Sequence, residues 1–184
     1  MRRPSTLSAP MLAAAVILGC ASTGADHAEG EHVVRAVARM LPTEGSGASG
    51  TVTFTRTEVG VRIQADISGL TPGYHGFHVH QWGDASAPDG KSAGGHFNPH
   101  GTDHALPEAA VRHVGDLGNL HAGADGRAVY DRVDTGLTLD GPNSIVGRGL
   151  IIHAKLDDGG QPTGNAGARV AIGVIGIATN GTAD

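Results

Sequence analysis

The sequence predicts an all-β fold, a two-sheet antiparallel sandwich or flattened barrel, and three observations carry that prediction. Glycine supplies 30 of the 184 residues, about twice its average usage, which implies many turns and short elements. Eight short runs of alternating or β-branched residues are separated by Gly- and Pro-rich turns. From residue 32 onward no amphipathic helical pattern of ordinary length is present. Aromatics make up 3% of the chain, so the core must be built from Val, Ile, Leu and Ala. The length suits one domain with extra segments. The formal charge is −5, with no basic stretch or aromatic platform of the kind that binds nucleic acid.

Residues 1–19 read as a signal peptide. Arg2 and Arg3 form a basic start, and Met11–Gly19 is an apolar run too short to span a bilayer. The run ends in Ile-Leu-Gly-Cys20, which resembles the lipobox of bacterial lipoproteins, and Cys20 is the chain's one cysteine. The expectation is an exported lipoprotein, periplasmic or at the cell surface, anchored to a membrane through lipidated Cys20. Loss of the leader takes two of the 13 basic side chains and none of the 18 acidic ones, moving the formal charge from −5 to −7. Residues 21–31 are small, polar and aperiodic, so 20–31 is read as a lipidated cysteine and flexible tether. The folded domain is expected over 32–180.

Within that domain the strand signals come in order. His32–Leu41 is partly alternating and β-branched. Gly50–Arg56 alternates with Val52 and Phe54 on one face, and Val59–Ile67 does so through Val61, Ile63, Ala65 and Ile67. Ser68-Gly-Leu-Thr-Pro-Gly73 is turn chemistry before a strand carrying His78 and His80. Further strands are expected at 113–121, 127–134, 145–153 and 168–177. The segment 82–112 is too long for an ordinary connection, and metal ligation would explain how so polar a loop stays ordered.

The chemistry concentrates in residues 76–116. His78 and His80, one residue apart on a strand, leave the same face about 7 Å apart and can share a metal ion. His96, His104, His113 and Asp116 follow on loop-like sequence, and three imidazoles with one carboxylate suit tetrahedral zinc. Unrelated, solvent-facing histidines are the plain alternative.

These segments resemble the copper/zinc superoxide dismutases. The resemblance covers roughly residues 34–178 and includes Gly76–Asp84, Gly94–His100, His113–Asn119, Ile145–Arg148, Ile152–Asp157 and Thr163–Ala178. It implies an eight-stranded antiparallel Greek-key sandwich or flattened barrel, immunoglobulin-like, with long metal-binding loops. It also implies copper held by His78, His80, His96 and His153, and zinc held by His96, His104, His113 and Asp116. His96 would bridge the two metals and exchange a proton, and Arg169 would orient the substrate anion. Asp157, in preference to Asp158, would join a copper histidine to a zinc histidine. The implied reaction is disproportionation of superoxide to dioxygen and hydrogen peroxide. A membrane-anchored copper/zinc storage module and a lipoprotein domain that uses zinc only to fold are the alternatives. Neither requires Arg169.

The chain departs from the family twice. The positions of the family's intramolecular disulfide are Gly90 and Ile172 here, so zinc is expected to carry more of the ordering of loop 82–112. The segment between His153 and Arg169 is short, with Gln161-Pro162 where relatives carry charges that steer the anion. Residues 145–148 and 173–177 resemble the dimer-forming segments of eukaryotic-type members, and a two-fold homodimer is expected on exposed Ile and Val there.

Overall fold

The computed structural model describes Met1 and residues 32–180; the expected signal peptide, lipidated Cys20 and tether fall outside the described residues apart from Met1. Alternation builds the first half of the barrel. In β3 (Gly60–Ser68) Val61, Ile63, Ala65 and Ile67 point inward while Arg62, Gln64, Asp66 and Ser68 point out. β2 (Ser49–Thr57) buries Val52 and Phe54, and β1 (Arg35–Pro42) buries Ala36, Ala38 and Met40. β1 pairs with β2 and β2 with β3 in antiparallel register, Val52 opposite both Ala38 and Ala65.

The other strands are β4 (Gly73–Val79), β5 (Asp116–Ala122), β6 (Ala128–Asp134), β7 (Gly149–His153), β8 (Arg169–Val174) and a two-residue β9 (Gly176–Ile177). The sheet runs β2-β3-β6-β5-β4-β7-β8-β1, and the β2–β1 pairing closes it. β3 lies beside β6 and β4 beside β7, as the crossovers of a Greek key require. The result is an all-β, eight-stranded antiparallel barrel. Among the described residues closure leaves only the two-residue β9, paired to β1 alone, as an open edge. Its interior is filled by Phe54, Ile63, Ile67, Phe77, Leu117 and Leu150, all essentially without exposure.

Three boundaries differ from the sequence expectation, each for a local reason. β5 starts at Asp116 rather than 113, because the Asp116 amide turns back onto His113 O at 3.2 Å. The run expected from 168 to 177 breaks at fully buried Ile175, whose amide and carbonyl bond to Arg148 and Gly147 instead of continuing the ladder. β7 begins at Gly149, not 145. Ile145 is wholly buried in a loop, its amide on Thr138 O, so it is a core residue and not an exposed contact for a second copy.

The only helical turn among the described residues is a 3-10 turn at Lys91–Ala93. It docks Ala93 against Ile151 and Ile172, a small cluster behind the main core. Position 172, one of the two implied disulfide positions, thus tethers the loop by apolar contact. The Glu44 amide also bonds Pro88 O, and the Trp82 amide bonds Ala93 O, both at 2.9 Å. The first part of loop 82–112 is therefore held by protein alone, and the expected dependence on zinc narrows to the part beyond it.

Candidate metal centre

Two bulges and one bridge bring the histidines together. A register shift between Gly76 and His78 breaks the β4–β5 ladder, and another between Ile152 and His153 breaks β7–β8. Bulges re-aim side chains in this way. An isolated antiparallel bridge pairs His80 with His96, with the Phe97 amide on Val79 O at 2.8 Å, and so lays the loop back along β4. The ring centroid of His78 lies 6.4 Å from that of His80, 4.0 Å from His96 and 5.0 Å from His153. Asp116 opens β5 opposite His78, and its Oδ2 accepts the His113 amide at 3.0 Å.

Two groups result, His78/His80/His96/His153 and His96/His104/His113/Asp116. Within each, one candidate ligand atom per residue lies within 4.8 Å of all the others, and all seven residues are buried. His96 belongs to both.

The partner of one ring nitrogen determines what the other can do. His80 Nδ1 donates to Gly94 O at 2.9 Å and His153 Nδ1 to Gly167 O at 3.1 Å, so each ring presents Nε2. Those two nitrogens face each other at 3.4 Å. His78 Nε2 donates to Asp157 Oδ2 at 2.8 Å and His104 Nε2 to Asp157 Oδ1 at 2.9 Å, so both rings present Nδ1. Buried His78 Nδ1 and His104 Nδ1 have no hydrogen-bond partner among the described residues. His104 Nδ1 does lie 3.0 Å from Asp116 Oδ2, but out of hydrogen-bond alignment. A polar atom left unpartnered in the interior costs about 1–3 kcal/mol. Convergent, unprotonated nitrogens are what a metal ion satisfies, and this donor set fits two.

Electrostatics keeps the lone pairs of the first group free. Burial lowers the pKa of His78, His80, His96 and His153, taking His96 to about 4 and His153 to about 3. For His80 the neighbouring His96 adds to burial. His104 runs the other way: burial opposes its charge, but hydrogen bonds to Asp116 and Asp157 outweigh that and raise it to about 9. Burial alone would raise Asp116 and Asp157. Hydrogen bonds from the histidines, His104 foremost, outweigh it and hold both carboxyls well below the usual carboxylate range.

Comparison with known proteins decides what this arrangement is. The family model described as copper/zinc superoxide dismutase (SODC) matches residues 48–175. An extracellular superoxide dismutase [Cu-Zn] of Brugia pahangi is 47% identical over 149 residues, covering 75% of this chain and 74% of the relative. The chain belongs to the copper/zinc superoxide dismutase family. It is thus an oxidoreductase whose cofactors are copper and zinc. A crystal structure of the clock protein EA4 superposes with a TM-score of 0.74 at 44% identity, covering 80% of this chain and 96% of that one.

In this superoxide dismutase the first histidine group opens to solvent through a cleft of about 400 Å3 that His80, His96, His153, Arg169, Asp89 and Lys91 line. Arg169 Nη1 and Nη2 donate to Gly90 O and Gly94 O, each at 2.5 Å. Gly94 has φ 76, a left-handed conformation suited to glycine, and its carbonyl serves both His80 and Arg169. Lys91 Nζ is paired with Asp89 at 2.7 Å on the exposed rim. Asp158 lies at the surface, accepting from Asn165 Nδ2 at 3.1 Å and the Gly160 amide at 2.8 Å.

Sequence reasoning missed the residues that hold the ligands in place. Asn119 clamps Asp157 twice, donating from Nδ2 to its carbonyl at 3.0 Å and accepting its amide at 2.8 Å. Gln161 clamps His104 likewise, at 2.7 and 3.1 Å. His75, which no spacing singles out, is buried with Nδ1 on His153 O and Nε2 on Thr71 O, both at 2.8 Å. A Cβ at Gly164, φ +77, would overlap Asp157 Oδ1. None of these has a local sequence signal; Asn119, Gln161 and His75 each meet a partner tens of residues away.

Proposed function

We propose that this enzyme disproportionates superoxide at a histidine-bridged copper/zinc pair outside the cytoplasm. The observation that carries this reading is that His96 belongs to two buried ligand groups at once. His78 Nδ1, His80 Nε2, His153 Nε2 and His96 would hold copper; His96, His104 Nδ1, His113 and Asp116 would hold zinc. Copper held there would supply one-electron redox chemistry.

The protein's own residues supply the rest. Two superoxide anions and two protons yield one dioxygen and one hydrogen peroxide, so the site must deliver protons. His96, buried and lowered to about 4, is neutral at rest. Its Nδ1 sits on the Asp116 side at 2.8 Å from Oδ1. Its Nε2 faces the cleft ligands and can take one proton and pass it to the departing peroxide, the other coming from solvent. Arg169, fixed by two carbonyls, presents positive charge to a small anion beside the cleft histidines. Asp157 orients His78 and His104 together.

Metal analysis and superoxide turnover measured on one purified sample test this reading. Arg169→Ala should lower turnover several-fold with copper and zinc content unchanged. Turnover at the wild-type rate would remove Arg169 from the mechanism. Fully loaded wild-type protein without turnover would leave metal storage as the better account.

Export and anchoring rest on Arg2, Arg3, the Met11–Gly19 run and Cys20, supported by a relative that is itself named extracellular. Membrane-fraction protein should begin at an acylated Cys20 by mass spectrometry. An intact, unmodified residue 1–19 segment would reject the anchor.

A two-fold homodimer through 145–148 and 173–177 is also proposed, on a narrower basis than the sequence suggested. Ile145 and Ile175 face inward, but Trp82, Val174 and Ile177 are 57%, 43% and 67% exposed. Trp82 adjoins Gly83, where a Cβ would meet Gly147 O and Val174 Cγ1, so the chain at Trp82 runs beside Val174. Sedimentation of the soluble domain at micromolar concentration should show the dimer, and Trp82→Lys the monomer. Wild-type protein that stays monomeric rules it out.

A further inference from the structure

We propose that Thr43 is a positioning residue for Arg169, its hydroxyl fixing the start of β8 so that the guanidinium stays turned toward the cleft histidines. The proposal rests on the reading of Arg169 as the group that orients the anion. Thr43 lies just past β1 and is only 6% exposed. Its Oγ1 donates to Arg169 O at 2.6 Å, and its amide donates to Val170 O at 3.2 Å. One residue thus grips two successive carbonyls at the entry to β8. The next amide, Glu44, donates to Pro88 O at 2.9 Å and so holds the loop that carries Gly90. Gly90 O and Gly94 O are the two acceptors of the Arg169 guanidinium.

The strap at 43–44 therefore anchors Arg169 at both ends, its backbone directly and its tip through the loop. A tight turn, with the Ser46 amide on Thr43 O at 3.1 Å, fixes the strap itself. The chain holds one cysteine, so no internal disulfide joins loop and strand. Thr43 stands in that gap: a Cβ placed on Gly90 would lie 3.5 Å from Thr43 Cγ2 and 3.4 Å from Arg169 Cδ. Arg169 is in turn paired with His153 across β7–β8, so a slack β8 entry would misplace the cationic fork relative to the cleft ligands. Valine at 43 keeps the shape and removes the donor. Serine keeps the donor.

The test is azide affinity, read from the visible absorption of the copper- and zinc-loaded full chain. It compares wild type, Thr43→Val, Thr43→Ser, Arg169→Ala and the Thr43→Val/Arg169→Ala double variant at equal metal content. Thr43→Val should weaken azide about five-fold, the factor expected for one lost neutral hydrogen bond, and Thr43→Ser should restore it. In the Arg169→Ala background Thr43→Val should have no further effect, because Thr43 acts through that side chain. Wild-type azide affinity in Thr43→Val, or an equal loss with and without Arg169, overturns the proposal. If Arg169→Ala leaves azide affinity unchanged, the reading of Arg169 fails and this one with it. Should Thr43→Val fail to fold, Thr43→Ala against Thr43→Ser makes the same comparison of donor absent and donor present.

Discussion

His153→Ala should abolish copper-dependent superoxide turnover and leave the barrel folded. The ring sits at the last position of β7, where a bulge turns it out of the ladder toward His80. Its work in the folded chain is one hydrogen bond, Nδ1 to Gly167 O. Losing that bond costs about 1 kcal/mol, small against the 5–15 kcal/mol typical of a domain. The strand beneath it is held by Leu150, Ile151 and Ile152, none of which contacts solvent. The effect on the metal group is of another order. Removing one of four nitrogens leaves an incomplete ligand set on the open, cleft side, while the second group of His96, His104, His113 and Asp116 is untouched. Zinc should therefore stay near one equivalent while copper and turnover disappear, with far-ultraviolet circular dichroism unchanged. Wild-type turnover in this variant would sink the assignment of His153.

How far such a site can be read from sequence depends on whether a residue's role is local. Alternation identified β2 and β3 because one face of each is buried and the other solvated, as Val61, Ile63, Ala65 and Ile67 against Arg62, Gln64 and Asp66 show. It misplaced β7, where Leu150, Ile151 and Ile152 are all buried because Ile151 packs behind the barrel against Ala93 and Ile172. A strand covered on both faces has no alternation to read. Ile145 looked like the start of that strand by composition and is instead a core residue held in a loop by Thr138. Greek-key topology was not in the periodicity at all; it was implied by the resemblance, and the β3–β6 and β4–β7 pairings are visible only in the fold, since strand neighbours distant in sequence leave no local mark.

The histidines divide along the same line. His78 and His80 are legible as a pair through their spacing. His75, three residues earlier on the same strand, has an ordinary sequence context, yet it carries the His153 carbonyl. Asn119 and Gln161 are polar residues whose meaning lies in the backbone atoms of Asp157 and His104 that they meet. Spacing can suggest what binds metal, but the groups that aim the ligands are visible only once the chain is folded.

Zinc removal should lower the melting temperature by on the order of 10 °C and loosen one stretch of the loop before any strand. The size follows from mass action: a ligand at 1,000 times its Kd stabilises by about 4 kcal/mol, and each kcal/mol is worth about 2–4 °C in a domain of this length. The structure says where the loosening starts. Residues 84–95 keep ties that need no metal, namely Arg169 on Gly90 O and Gly94 O, Glu44 on Pro88 O, and Ala93 packed on Ile151 and Ile172. Residues 99–112 have ties of their own as well, among them the Asn98–Thr102 bonds, the Gln161 clamp on His104, Arg132 on Pro107 O and Arg112 on Asp134, but this stretch also carries His104 and adjoins His113 and Asp116, whose closing together would be completed by the metal. Without zinc, a broad-specificity protease should cut first between 99 and 112 and leave 84–95 intact. Thiol reductants should not change the melting temperature, as the sequence holds one cysteine. Adding a disulfide through Gly90→Cys with Ile172→Cys is a poor remedy, because Gly90 has φ 71, where a residue with a Cβ is strained. Equal melting temperatures for chelated and zinc-loaded protein would show that the hydrogen bonds and apolar contacts hold the whole loop by themselves. First cleavage inside 84–95 would show that Arg169, not zinc, is the weaker tie.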